Sequence, residues 1–318
     1  MAIRHNTARF GALLGAIVWA SILFINTSDS YEMELITKVL LLGILVIVPL
    51  GLSLISNFET ENAPRIYRHA LLLQPLAATS VVASFFVKPG IVAAIMACGW
   101  LVVTAVAGVF GLWRLFRPEF RNANEISISA GLVYLPIGAA WLIMSRLGIQ
   151  PLGFGDTIVL LTAVHFHFAG FAAPILAGMA GRRLPANGSV RSLFSAAVIA
   201  IVVGTPLVAT GITLAPSIAL AGALVISLGL FLLSMLVAGW IVPSVGFLPA
   251  QILLLISSAS SLPAMTFACI YAYSIVFKKL LIDIPQMAMT HGVVNAFGFA
   301  LCGLIAWTII HISGDGKA

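Results

Sequence analysis

Residues 155–180 read GDTIVLLTAVHFHFAGFAAPILAGMA, and this stretch decides the class of fold. Apart from Asp156 near its start, it contains no acidic residue, lysine or arginine. An apolar helix of about 20 residues crosses roughly 30 Å of hydrocarbon, so the stretch predicts a membrane-spanning helix. It nevertheless contains two imidazoles, His165 and His167, which flank a single phenylalanine. Polar side chains are costly at membrane depth and usually face the interior of a helix bundle.

The composition of the whole chain indicates that the other segments are membrane-spanning as well. Hydrophobic residues make up 61% of the 318 residues and charged residues only 8%, whereas about 25% of the residues of a soluble protein are charged. The chain therefore predicts a polytopic α-helical protein of the cell membrane, whose surroundings are the lipid bilayer. The net charge of +6 is scattered over short loops, which favours membrane topology over nucleic-acid binding.

The hydrophobic runs predict an all-α transmembrane bundle of about ten helices. We expect one integral membrane domain over residues 1–318, with no soluble domain. The N-terminal apolar run follows Arg4 and Arg9 and is expected to be the first spanning helix, because no small-residue cleavage site follows it. The predicted helices are 8–26, 35–56, 68–87, 90–114, 127–146, 155–180, 192–213, 216–241, 248–277 and 285–311.

Loop charges orient the predicted bundle. With a cytoplasmic N-terminus, most arginines between helices fall on the inner side, as the positive-inside rule requires. Lys278 and Lys279 fall on the outer side and disagree with the rule. A broken or re-entrant helix in residues 248–277, interrupted by SSASSLP at 257–263, would remove the disagreement, so both topologies stay open.

The two histidines of the quoted stretch point in different directions. Successive residues of an α-helix are rotated by about 100°, so His165 and His167 lie about 200° apart and do not ligate one metal ion together. Both sides of the helix carry small residues, which suit packing against other helices. We therefore expect each imidazole to have its own protein neighbour.

A second polar group lies in residues 283–303, which read DIPQMAMTHGVVNAFGFALCG. His291 and Asn295 are one helical turn apart on the same side. Together with His165 and His167 they are the candidate residues for binding a small solute or protons. We expect alanine at His167 or His291 to abolish activity with little loss of folded protein.

Several functions could use these side chains. A transporter-like protein would bind a small solute or relay protons, since imidazole titrates near pH 6.5. A redox or sensor protein would bind haem or a transition metal through His165, His167 and His291. In a structural partner of a membrane complex, the histidines would only bond neighbouring helices. No phosphate loop, nucleophile elbow or catalytic carboxylate pair is present, which disfavours an enzyme. The sequence leaves the substrate and the oligomeric state open.

Two resemblances add to this reading. The motifs AVHFHFAGFAAPILAG (163–178) and THGVVNAFGFALCG (290–303) resemble the YndJ-like family of bacterial membrane proteins. That resemblance implies a multi-pass protein, sometimes labelled a transporter, and supplies no catalytic residue.

The fragment VHFHF is similar to the haem-bearing helix of haem–copper oxidases, which implies axial ligation by His165 and His167. The chain has no adjacent histidine pair within a span and no histidine–tyrosine copper arrangement, so oxygen reduction is not implied.

Overall fold

A computed structural model describes residues 6–28, 30–56 and 65–313. Over these residues the protein is a polytopic helical bundle without strands, and its ten continuous helices follow the ten predicted segments with ends shifted by a few residues. The helices are α1 Asn6–Ile22, α2 Tyr31–Ile55, α3 Arg65–Ser84, α4 Ile91–Leu115, α5 Ala123–Leu147, α6 Asp156–Gly181, α7 Ser189–Leu214, α8 Pro216–Ser244, α9 Leu248–Val276 and α10 Ile284–Ile312.

The helices have the lengths and composition of membrane spans. Within the described ranges, eight of them are long and apolar enough to cross a bilayer, namely α2 and α4 to α10. The apolar part of α1 is shorter, at Ala8–Ile22, and α3 opens with the polar sequence RIYRH. The protein is therefore a multi-pass membrane protein, and its exposed leucines, isoleucines and phenylalanines contact lipid.

The proposed break in residues 248–277 does not form. Helix α9 is continuous from Leu248 to Val276, and Pro263 lies inside it. The disagreement of Lys278 and Lys279 with the positive-inside rule is therefore not removed by a break at 257–263. Lys278 instead ends the helix with a positive φ of 52°.

The chain divides into two compact units. Unit 1 contains Met1–Phe120 and Ser129–Ala172, and unit 2 contains Arg121–Ile128 and Ala173–Ala318. The boundaries fall within α5 and α6, so each of these helices contributes residues to both units. The single membrane domain expected from the sequence stays a prediction.

Helix α2 supplies the core of unit 1. Every residue from 39 to 55 is buried, as expected for a helix that is hydrophobic on all sides. Helix α1 packs closely against it at Gly15, where an added Cβ would lie 2.8 Å from the carbonyl carbon of Leu45. Glycine is required at this position because the neighbouring backbone occupies the space of a side chain.

Four π-helical segments interrupt the described helices, and three of them precede a proline. Residues Gly43–Ile47, Phe168–Ala172 and Val237–Ile241 each end two residues before Pro49, Pro174 or Pro243. Proline lacks an N–H, and its ring collides with the carbonyl four residues earlier. A wider π turn moves that carbonyl away, so proline accounts for these three distortions.

The fourth π-helical segment has no such cause. It covers Ala288–Leu301 in α10, and the chain contains no proline after Pro285. Prolines alone also do not produce π turns, since α9 contains Pro263 and remains α-helical. The distortion in α10 therefore needs another explanation, and single π turns are frequent at functional sites.

Helices α9 and α10 pack closely within unit 2. A Cβ added at Gly298 would lie 2.5 Å from Ser260 Cβ, and one added at Gly303 would lie 2.8 Å from Ser257 Oγ. The Ser257 hydroxyl donates to the carbonyl oxygen of Phe299 across the same interface, at 2.7 Å. Small residues on one helix and hydroxyls on the other thus hold the two backbones together.

Candidate functional site

His167 is sealed inside unit 1. Its side chain has 0% exposure, and the indole Nε1–H of Trp100 donates to its Nε2 at 3.0 Å. Its Nδ1 lies 2.7 Å from the carbonyl oxygen of Ala163. Indole nitrogen is only a donor, so Nε2 must accept and Nδ1 must carry the hydrogen that bonds Ala163. Both nitrogens of a neutral ring are therefore used by the protein.

The surroundings of His167 leave little free space. A Cβ added at Gly138 would lie 2.8 Å from Nδ1, and one added at Gly43 would lie 3.4 Å from the Cβ of His167. The Trp100 ring is stacked beside the imidazole, with ring centroids 6.0 Å apart and planes inclined by 15°. An axial bond to haem iron through Nε2 would have to replace the bond from Trp100.

His165 lies on the opposite side of α6. Its side chain is exposed, and its Nδ1 lies 2.7 Å from the carbonyl oxygen of Leu161 in the same helix. The predicted divergence of the two histidines is therefore seen. We expected each imidazole to have its own protein neighbour; His167 has Trp100, whereas the side chain of His165 is exposed.

His291 and Asn295 come together in unit 2, on the π-helical segment of α10. The imidazole Nδ1 lies 2.9 Å from the carbonyl oxygen of Ala264 in α9 and 3.2 Å from the amide nitrogen of Asn295. That amide nitrogen also lies 3.7 Å from the sulfur of Met265. The amide oxygen Oδ1 of Asn295 is buried and has no hydrogen-bond partner among the described residues.

These contacts cannot all be favourable at once. If His291 Nδ1 carries a hydrogen, it donates to Ala264, and the amide N–H of Asn295 then faces another donor. If Nδ1 accepts from Asn295, its lone pair faces the carbonyl oxygen of Ala264. A buried polar atom without a partner costs about 1–3 kcal/mol. The pair is therefore a polar group that gains stability when a further donor reaches Asn295 Oδ1.

The pair differs from His167 in its exposure. His291 and Asn295 are both partly exposed, whereas His167 has no exposed surface. The exposed surface belongs to other atoms of the pair, because Asn295 Oδ1 itself is buried. The pair thus combines partial exposure with an acceptor that has no partner among the described residues, whereas His167 is fully buried and both of its nitrogens are bonded.

A metal centre has no prearranged ligand set in the described ranges. No three histidine, cysteine, aspartate or glutamate side chains there are grouped so that they could hold one ion. His165 and His167 diverge within unit 1, and His291 belongs to unit 2. The His165–His167 pair and the His291–Asn295 pair are therefore two separate candidate sites.

Two features escaped the sequence reasoning. The first is Trp100, the hydrogen-bond partner of His167. A tryptophan within a span needs an acceptor for its N–H, and this need could have indicated a polar partner. The second feature is an ion-pair network in unit 2. Arg182 binds both carboxylate oxygens of Glu125 at 2.7 and 2.8 Å, and Arg191 donates to Asn124 Oδ1 at 2.7 Å. The arginines were interpreted only as markers of the inner face.

Comparison with known proteins identifies similar sequences but no similar structure. The family model described as "YndJ-like protein" matches residues 38–299. The chain is 28% identical over 285 residues to the "Uncharacterized membrane protein YndJ" of Bacillus subtilis (strain 168). This alignment covers 89% of the chain and 50% of the relative, so the chain spans about half the length of the curated relative it matches. No solved structure matches.

Proposed function

The chain belongs to the YndJ-like protein family, and we propose that it acts as a transporter-like protein of the cytoplasmic membrane. In this proposal, His291 and Asn295 form an intramembrane site that binds a small polar solute or relays protons. The two residues are partly exposed, and Asn295 Oδ1 has no hydrogen-bond partner among the described residues. His165 and His167 receive no ligand role in the proposal, because His167 is used by Trp100 and Ala163.

The observation that carries the proposal is the polar pair on a π-helical segment without a following proline. Distorted helices supply backbone and side-chain groups at transport sites, and π turns are frequent where function requires a local distortion. Three other distorted segments have a proline to account for them, whereas Ala288–Leu301 does not. We attribute its distortion to the need to aim His291 and Asn295 at the same point.

The chemistry of the pair limits the ligand. Asn295 Oδ1 accepts a hydrogen bond, and His291 can donate or accept one, depending on its tautomer. The Asn295 amide nitrogen also lies near the uncharged side chain of Met265. Asn295 and Met265 supply no counter-charge to a charged solute, whose lost hydration is costly. The pair therefore suits a small neutral molecule with a donor group, or a proton carried by His291.

The proposed orientation of the chain determines the side from which the pair is reached. His291 lies in the first turns of α10, which begins at Ile284. With a cytoplasmic N-terminus and ten spanning helices, α10 begins at the outer face. In this topology the pair is reached from outside the cell.

Replacing His291 by alanine is expected to lower transport by about tenfold or more, because removal of a proton-transferring group typically costs at least this much. The protein is purified and placed in vesicles of phosphatidylethanolamine and phosphatidylglycerol. Proton flux is followed with a trapped pH-sensitive dye, and solute flux by vesicle swelling with glycerol and with urea. The matched control is His311→Ala, near the end of the same helix.

The expected result is a flux above that of empty vesicles, which is kept in His311→Ala and lost in His291→Ala. The proposal is wrong if wild-type vesicles pass neither protons nor these solutes. It is also wrong if the His291→Ala protein, still folded by gel filtration, transports as well as the wild type.

A further inference from the structure

Arg146 is a buried arginine at one end of unit 1. It lies one residue before the end of α5, and its carbonyl oxygen accepts a hydrogen bond of 2.7 Å from Gly90, in the loop between α3 and α4. Only 8% of Arg146 is exposed. Arginine is almost never buried to this extent unless it is paired, so the partners of its guanidinium decide what this group does.

The protein supplies this guanidinium with weak, uncharged partners. Its carbon Cζ lies over the ring of Phe85, 4.1 Å from the ring centroid. Its Nη1 donates to the carbonyl oxygen of Ser84 at 3.4 Å, which is longer than the roughly 2.7–3.2 Å of an ordinary bond. Its Nε is buried and has no hydrogen-bond partner among the described residues. Arg146 therefore keeps hydrogen-bonding capacity that the protein does not use.

The charge of Arg146 is also not neutralised. No carboxylate of the described ranges forms an ion pair with it. The nearest acidic residue along the chain, Asp156, accepts instead from the amide of Gln150 at 3.1 Å. Removing a guanidinium from water without a counter-charge is costly, and contact with an aromatic ring offsets only part of that cost. An anion bound to Arg146 would therefore stabilise the folded protein.

The loop that contacts Arg146 adds further positive charge. Lys88 lies in this loop and is exposed. The loop is fixed against the end of α5, since a Cβ added at Gly148 would lie 3.5 Å from the Cβ of Pro89. Helix α4 begins in the same loop and has no side-chain cap at Gly90, so its first N–H groups carry positive partial charge. These groups and Arg146 all favour a negatively charged ligand.

We propose that Arg146 and Lys88 bind the phosphate group of an anionic phospholipid. Arginine donates strong, charge-assisted hydrogen bonds to phosphate oxygens. The phosphate would replace the long bond from Nη1 to Ser84, and the guanidinium would stay over Phe85. This site lies in unit 1 and does not depend on the His291–Asn295 pair, which lies in unit 2.

The surroundings favour a lipid over a free phosphate ion as the source of the phosphate. The first turns of α4 and the preceding loop present large apolar side chains, which suit contact with acyl chains and would give a free ion no benefit. The exposed side chains of this surface are Phe86, Ile91, Val92 and Ile95. Two positive side chains without a paired carboxylate also suit a headgroup with net negative charge.

Phosphatidylglycerol is expected to raise the unfolding temperature of the detergent-purified protein by roughly 4 °C or more, whereas phosphatidylcholine and inorganic phosphate should not. Arg146→Gln should lose this rise and bind the lipid at least about tenfold more weakly in native mass spectrometry, because a charged donor is removed. Without lipid it should unfold at the wild-type temperature or above, since an uncompensated charge is lost. The matched control is Arg117→Gln, the same change at an exposed arginine, which should keep the rise.

A second variant tests the site without changing a buried residue. Lys88→Gln should weaken phosphatidylglycerol binding by about fivefold, the effect of one basic side chain at a membrane surface. Its control is Lys279→Gln, which removes another exposed lysine and should bind as the wild type does. This comparison decides the question if Arg146→Gln does not fold.

Several results would overturn the proposal. Equal binding of phosphatidylglycerol by the wild type, Arg146→Gln and Lys88→Gln would show that neither residue holds the lipid. An equal rise with phosphatidylcholine would remove the preference for an anionic headgroup, and an equal rise with inorganic phosphate would remove the lipid as the source. A lower unfolding temperature of Arg146→Gln without lipid, with unchanged binding by Lys88→Gln, would make Arg146 a structural residue only.

Discussion

Replacing Glu125 by alanine is expected to lower the free energy of unfolding by about 3 kcal/mol, because removal of one partner leaves a buried charge uncompensated. The Glu125 carboxylate accepts two hydrogen bonds from Arg182 and one from the Asn124 amide. Only 10% of the Glu125 side chain and 16% of the Arg182 side chain are exposed. The effect is measured as thermal or denaturant unfolding of the detergent-purified protein.

The size of this effect follows from how many segments the network joins. Glu125 and Asn124 open α5, Arg182 follows the end of α6, and Arg191 lies in the first turn of α7. Arg191 also donates to the carbonyl oxygen of Gly181 at 3.2 Å. Loss of Glu125 therefore loosens three helix ends of unit 2 at once.

The control for this prediction is Glu119→Ala, which removes an exposed glutamate six residues earlier. Surface substitutions usually change stability by about 0.5 kcal/mol or less. Equal stabilities of the two variants would show that the network contributes nothing. A double-mutant cycle with Arg182→Ala should give a large coupling energy, because the two residues share a bidentate contact.

Replacing His167 by alanine is expected to lower the free energy of unfolding by about 3 kcal/mol, through an orphaned N–H and a cavity. The indole N–H of Trp100 would lose its acceptor in a fully buried site. This expectation departs from the one based on sequence alone, in which alanine at His167 abolishes activity without much loss of folded protein. The geometry instead predicts that the substitution lowers the stability of the folded protein.

His165→Ala is the matched control, since the same chemical change is made two residues away. His165 is exposed and bonds to its own helix at Leu161, so the expected loss is below about 1 kcal/mol. Equal losses for the two variants would contradict the structural role of His167. Trp100→Phe should be destabilising too, and its effect should not add to that of His167→Ala, because the residues share one bond.

The fold was predictable because the bilayer leaves few choices. Spans must be long, apolar and helical, so each hydrophobic run of the chain marks one helix, and the ten predicted segments match the described helices. The continuity of α9 was not predictable in the same way. Proline inside a span can kink, break or leave a helix continuous, and the neighbours of Pro263 are not visible in the sequence.

The site was predictable only in part. The side-by-side placement of His291 and Asn295 follows from their spacing, and so does the divergence of His165 and His167. Their environments do not follow from spacing. Tertiary packing brings Trp100 to His167 and buries Asn295 Oδ1, which has no partner in the described ranges. The HxH pair was the more conspicuous signal, yet its buried member has both nitrogens bonded. Proline positions alone do not predict the π-helical segments, because α3, α5, α7 and α9 each contain a proline and remain α-helical.

The measurement that tests the account most directly combines the stability and the transport activity of Asn295→Leu. Leucine has nearly the shape of asparagine but removes the buried oxygen, which has no partner among the described residues. Replacement of an unpaired polar group by an apolar one is close to neutral or stabilising, so the unfolding temperature should stay the same or rise. Proton or solute flux should fall by about tenfold or more. A lower unfolding temperature with unchanged flux would contradict the account, because it would make Asn295 a packing residue.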